Sequence, residues 1–246
     1  MNDLDFTDRG EGPAVLLIHA TGTNSGWFDP AVGALSDQLR LITYDRRGWG
    51  RSRTEGEYSR TSVAEQAIEG AGLLRELGVT KTTVLGVGFG AVVALEMALA
   101  EPDRISRAIL IEPPLFALVT AATEGMSADV AEIRNAAETG GEEAAYGLYL
   151  GGELPTLGSG AERLANLADH GPEAAHTFLV ELPAVPAWPM EPARIAEIQA
   201  EVQVATTPTT PPLLLEAANA VTPRIPEAER VFTQHDGPEA VTELLS

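Results

Sequence analysis

The sequence predicts an α/β fold class, a mostly parallel sheet with helices on both faces, on three observations. Short apolar runs alternate with helical stretches along the chain, the pattern of a parallel sheet with helical crossovers. Ala14 to Ile18 (AVLLI) is apolar at every position, the mark of a parallel strand covered on both sides. Thr82 to Pro102 reads as a buried strand, a glycine-rich turn and a buried helix with one charge, Glu96, stopped by Glu101-Pro102.

The other elements follow in order. Leu4 to Thr7 alternates like a strand, and Arg9 to Pro13 is a turn. After Ala14 to Ile18 comes His19-Ala20-Thr21-Gly22. Pro30 to Gln38 suits a helix and Leu41 to Tyr44 a strand, which runs into the glycine-rich loop Asp45 to Ser52. Ser62-Val63-Ala64-Glu65 is a capping box, because serine and glutamate three apart can each satisfy an orphan N–H of a helix start; that helix reaches about Leu77. Arg107 to Ile111 is a further strand, ending at Glu112-Pro113-Pro114.

From about Leu115 to Ala200 strand-like runs disappear. Helices are expected at Ala128 to Glu138, Glu142 to Leu150, Ala161 to Ala168 and Pro172 to Leu182, before the proline-broken turn Pro183 to Pro189. Glu201 to Thr206 returns to strand, Thr210-Pro211-Pro212 opens a helix to about Val221, Arg230 to Gln234 is the last strand, and Gly237 to Leu245 closes the chain. The division expected is a core of residues 1–114 and 201–246 with a helical cap, or lid, of residues 115–200.

Composition narrows the function. A net charge of −20 over 246 residues argues against nucleic acid or an anionic membrane as partner. Lys81 is the single lysine, a bias that GC-rich coding accounts for. There is no cysteine, which removes disulfides, thiolate catalysis and cysteine-ligated metals. The acidic N-terminus and the lack of a long apolar run point to a cytoplasmic protein, monomer or homodimer, with a small organic molecule as partner and no cofactor or metal.

Three motifs in order resemble the α/β-hydrolase superfamily: LLIHATG (Leu16 to Gly22) at its His-Gly oxyanion turn, YDRRGWGRS (Tyr44 to Ser52) at its Asp-x-Arg-Gly-x-Gly-x-Ser loop, and GVGFG (Gly86 to Gly90) at its Gly-x-Ser-x-Gly nucleophile elbow. The resemblance covers nearly the whole chain and implies the α/β-hydrolase fold, with a helical cap inserted after strand 6 of that scheme, here the strand ending at Glu112. Fold and chemistry separate readily, so each catalytic station is read singly.

The nucleophile station holds Gly88, which offers no side chain. The acid station, after Glu201 to Thr206, reads Thr207-Pro208-Thr209-Thr210-Pro211 with no carboxylate. An alternative alignment makes Leu213 to Leu215 the strand and puts Asn219 there. Glu112, at the end of an earlier strand, is a candidate acid, and as a plain strand-end residue it needs no such role. His235 follows the last strand where the general base belongs, although the closing helix begins almost at once. The resemblance implies that the backbone N–H groups of Thr21 and Phe89 form an oxyanion hole, which needs no side chain to survive. His19 would support that turn, and His19, Ala20, Trp49 and Trp188 are candidate substrate contacts; His170 and His176 read as surface or rim residues.

Several functions stay open. One is a pseudoenzyme that binds a small molecule, and another a divergent, non-covalent enzyme of hydrolase, lyase or cyclase type. A third is a conventional serine hydrolase or esterase whose Gly88 was engineered from serine, against which the second loss, at the acid station, counts. A rival from another class reads Gly86-x-Gly88-x-x-Ala91 as a dinucleotide fingerprint, with Glu112 as ribose partner. Against it, two βα units precede the motif, which normally opens its domain.

Overall fold

The computed structural model describes residues 4–52, 58–161, 163, 168–171 and 173–246. Among them seven strands form one sheet: β1 (Phe6–Arg9), β2 (Ala14–Ile18), β3 (Arg40–Tyr44), β4 (Thr82–Val87), β5 (Ile105–Ile111), β6 (Glu201–Thr206) and β7 (Glu229–Phe232). Their spatial order is β1-β3-β2-β4-β5-β6-β7. β1 pairs antiparallel with β3, and every other pairing is parallel. The opening strand lies two residues later than its alternation suggested, because Phe6 to Arg9 is an edge segment with no buried position to set its register.

Parallel strands need crossovers, and the helices supply them. They are α1 (Asp29–Leu35), α2 (Val63–Glu76), α3 (Phe89–Ala100) and α8 (Pro212–Val221), while α9 (Gly237–Leu245) follows the last strand. Burial on both sheet faces explains the unbroken apolar strands. In β2, Leu16 and Ile18 enter the core with α2, α3 and α8, while Val15 and Leu17 enter the other with α1 and α9. Residues 15–18 are at most 3% exposed, and full burial of a Val or Leu side chain contributes about 1.5–3 kcal/mol. Ser62 caps α2 as expected, its Oγ accepting from Glu65 N–H at 3.1 Å.

Between β5 and β6 the described residues contain α4 (Ala122–Gly140), α5 (Glu142–Leu150), α6 (Ala174–Glu181) and the short α7 (Pro192–Ile195). The helix expected over Ala161 to Ala168 falls largely outside the described residues. Trp49, Tyr146, Phe178 and Leu154 form a separate small core under these helices. No helix among the described residues is long and apolar enough to cross a membrane. Leu213 to Leu215 and Asn219 lie inside α8, with Asn219 Oδ1 accepting from Arg230 Nε at 3.2 Å, so the alternative acid alignment is wrong. The run is apolar because Leu214, with Leu213 beside it, packs against Phe116, Val119 and Ala122 of the insertion, while Ala218 and Val221 of the same helix enter the sheet core, a helical rather than a strand reason.

Candidate functional site

The chain crosses from one side of the sheet to the other between β2 and β4, which are neighbours although β3 separates them in sequence. In open parallel sheets, ligands bind at such a switch point, beyond the carboxyl ends of the strands. Here those ends are His19-Ala20-Thr21 and Val87-Gly88-Phe89.

The turn at Gly88 is sharp. Gly88 has φ 56° and ψ −121°, and its N–H donates to Ile111 O at 2.9 Å. An L side chain rarely takes this conformation, so glycine relieves a strain of about 1–3 kcal/mol that a serine would carry. A Cβ at Gly88 would meet Ala20 Cβ at 3.2 Å, which is tight but not blocked. A Cβ at Gly90 would lie 2.2 Å from Ile18 O, so that glycine lets α3 pack against β2.

A cavity of about 160 Å³ lies over this turn. Ala20, Thr21, Gly88, Phe89, Glu112 and Trp188 all line it, together with residues of the helical insertion. Most of the wall is apolar, including Leu115, Phe116, Phe178, Val185 and Met190; the charged lining residues are Glu112, Arg163 and Glu181. The N–H of Phe89 opens α3 and has no partner within the helix, as for any first-turn donor.

His19 and Trp49 do not line the cavity, and both are fully buried, which corrects their assignment as substrate contacts. Each works from behind. Arg46 N–H donates to His19 Nε2 at 2.9 Å, which places the ring proton on Nδ1, 2.8 Å from the Ala20 oxygen that it reaches. Burial first, and then the Arg46 charge, hold the His19 pKa well below its ordinary value of 6.5. The ring is therefore a neutral strut between the turn after β2 and the loop after β3.

Trp49 Nε1 donates to Glu181 Oε1 at 2.9 Å. Glu181, on α6, also accepts from Gln66 Nε2 at 3.1 Å, from Thr21 Oγ1 at 2.9 Å and from the Arg46 guanidinium. Arg46 and Glu181 side chains are each 1% exposed. Arg46 further donates through Nε to His19 O at 3.0 Å, and its guanidinium lies 4.6 Å over the Phe89 ring. Sequence reasoning missed this cluster. Its one signal is a lone acid in the apolar run Phe178 to Leu182, the same kind of signal that marked Glu96.

Glu96 is also accounted for. It is buried on α3, where it accepts from Trp188 Nε1 at 2.8 Å and from Arg194 Nη2 at 2.6 Å. That contact fixes the indole in the cavity wall.

At the opposite end stands Glu112, with φ 51°. Its carboxylate accepts from Arg163 Nη1 and Thr207 Oγ1, both at 3.1 Å, and from the Thr210 hydroxyl. Nothing from His235 reaches it. His235 Nδ1 lies 3.0 Å from Glu243 Oε2 of α9, and the His235 side chain is 62% exposed. Because α9 begins at Gly237, the loop is too short to carry the ring back over the sheet, and His235 is not among the residues lining the cavity. The general-base assignment therefore has no support in this arrangement, and Glu112 is not its acid. Thr209, at the acid station, donates through Oγ1 to Asp236 Oδ1 at 2.6 Å, a contact between the loops that follow β6 and β7.

His170 is exposed. His176, partly exposed on α6, contacts Glu142 Oε1 at 2.9 Å and Tyr58 O at 2.6 Å, and these two acceptors, Glu142 first, raise its pKa. Gly86 lies in β4, Gly88 in the turn and Ala91 in α3, and the carboxylate a dinucleotide's ribose would need is committed to Arg163 and two threonines.

A family model described as the alpha/beta hydrolase fold matches residues 13–152. The chain belongs to this family. Among curated relatives, a 2-(acetamidomethylene)succinate hydrolase of Mesorhizobium japonicum is 28% identical over 162 residues, covering 65% of this chain and 56% of that protein. A 2-hydroxymuconate semialdehyde hydrolase of Pseudomonas putida is 35% identical over 108 residues, covering 42% of this chain and 37% of that protein. The chain thus spans between about two fifths and just over half of the length of these two relatives. Among solved structures, an alpha/beta hydrolase of Sphaerobacter thermophilus superposes with a TM-score of 0.73 at 23% identity, covering 98% of this chain and 94% of that one. At that identity the superposition speaks for the fold alone.

Proposed function

We propose that this α/β-hydrolase-fold protein binds a small, largely apolar organic molecule non-covalently, in the cavity between its sheet and its helical insertion, without forming an acyl-enzyme. In this reading residues 115–200 act as a cap over a core of residues 1–114 and 201–246. A carbonyl oxygen of the ligand takes the backbone N–H groups of Thr21 and Phe89, with the positive end of α3 behind them. The observation that carries the reading is the elbow: Gly88 presents backbone where a nucleophile would stand, while His235 pairs with Glu243 at the surface.

The relatives are named as hydrolases, and hydrolysis by this chain would have to proceed without an elbow nucleophile. A non-covalent enzyme needs a free base in the cavity. The two lining carboxylates, Glu112 and Glu181, each accept from at least three donors, which commits the lone pairs a base would use. This favours binding over turnover.

The test is twofold. A fluorophosphonate serine label, read by intact-mass spectrometry, is expected to leave the protein unmodified, whereas native mass spectrometry of freshly purified protein is expected to show a retained small molecule. Labelling of any serine in the cavity would overturn the reading.

A further inference from the structure

Glu181 belongs to α6 of the insertion, yet every donor that holds it comes from the core. Arg46 and Trp49 lie on the loop after β3, Gln66 on α2, and Thr21 on the turn after β2. Three of these donors have anchors other than Glu181: Arg46 Nη1 donates to Gln66 Oε1 at 2.8 Å and Arg46 Nε to His19 O, while Trp49 sits edge-on to His19 with ring centroids 6.4 Å apart. A planar guanidinium flanked by an indole N–H, an amide and a hydroxyl offers donors to both oxygens of a carboxylate guest, as it does to Glu181 Oε1 and Oε2. The receptor borders the cavity, because Thr21 and Glu181 both line it.

We propose that Arg46, Trp49, Gln66 and Thr21 form a preorganised carboxylate site, that Glu181 fills it in cis as the latch holding α6 against the core, and that small monocarboxylate anions are the ligand class it takes when Glu181 is withdrawn. The site differs from the backbone N–H pair at Thr21 and Phe89: it recognises a full negative charge through side chains, and it stands whether or not the cavity binds a neutral molecule.

Glu181→Ala vacates the site. Because an unpaired Arg46 stays buried, its melting temperature is expected to fall by on the order of 10 °C. Formate at about 0.1 M is expected to recover roughly 4 °C of that loss, by mass action on a site of dissociation constant near 10 mM, whereas chloride at matched ionic strength recovers none. Wild-type protein, its site filled, shifts less than the variant in the same formate. Equal shifts in wild type and variant, or a folded variant that ignores formate, would overturn the proposal. If Glu181→Ala does not fold in buffer, refolding it in formate and in chloride decides: native circular dichroism recovered in formate alone supports the site, and failure or recovery in both refutes it.

Discussion

The two ends of the cavity are built differently. At the end beneath Thr21 and Phe89, the arrangement depends on backbone: a left-handed glycine, a helix N-terminus and a turn held by the neutral His19. At the other end, where a hydrolase of this family keeps its acid and histidine, the arrangement depends on side chains, and here Arg163 and three threonines gather around Glu112 and Asp236 while His235 faces outward. A backbone N–H is present whatever residue occupies its position, whereas a triad needs particular side chains. In the proposed reading, the Thr21 and Phe89 N–H groups seat an oxygen of the ligand, and no side chain at Gly88 stands beside it to attack.

That contrast can be broken most forcefully at the ion pairs. Arg46→Met leaves Glu181 buried without its cation and is expected to cost about 3–5 kcal/mol in urea unfolding, since both partners are shielded from water. Arg163→Met, whose side chain is 28% exposed and whose partner Glu112 keeps threonine donors, is expected to cost about 1.5–3 kcal/mol. Equal costs would mean that the deeper burial of the Arg46–Glu181 pair and the threonine donors left to Glu112 do not separate the two pairs.

Next in size is the elbow. Gly88→Ser is expected to lose about 1–3 kcal/mol to its φ of 56°. Esterase activity on a p-nitrophenyl ester is expected to stay well short of the roughly 10³-fold gain that a complete triad member brings. A gain of that size would show that a base does reach the cavity and would dissolve the contrast between the two ends.

How much of this was legible in the sequence follows the same division. AVLLI, YDRRGWGRS and GVGFG are local, so the strand, the loop and the turn they specify could be read in place. Thr21, Phe89, Ala20 and Trp188 were named and do line the cavity. His19 and Trp49 were named for the wrong side of the wall, because a sequence gives proximity to a motif but not the direction a ring faces. Glu181 was missed: its partners lie 115 to 160 residues away, and only tertiary packing of α6 brings them together. The lone acid in an apolar run was the available clue, and at Glu96 it was noticed without its partner.

A smaller effect sharpens the role of the neutral histidine. The folded pKa of His19 lies below its ordinary 6.5, so the unfolded chain takes up a proton that the folded chain refuses. Stability from this group is fully present above about pH 6.5 and falls by about 1.4 kcal/mol per pH unit below it, until the folded pKa is reached. His19→Gln, which keeps an acceptor for Arg46 N–H, is expected to lower stability at pH 8 and to flatten the decline between about pH 6.5 and 5.5, above the carboxylate range. An unchanged slope in urea titrations would mean that another group sets the acid limb.

The smallest effect is expected at the residue that the family's chemistry would make largest. His235 is exposed, and its contact with Glu243 is a surface pair of the kind that adds little to stability. His235→Ala is therefore expected to move the melting temperature by no more than about 1 °C. It should also leave the small molecule retained in native mass spectrometry unchanged, since the ring does not line the cavity. Loss of that molecule in His235→Ala would require the ring to swing over the cavity in the bound state, breaking its contact with Glu243, and the shortened link between β7 and α9 would then have to open by the start of α9 unwinding.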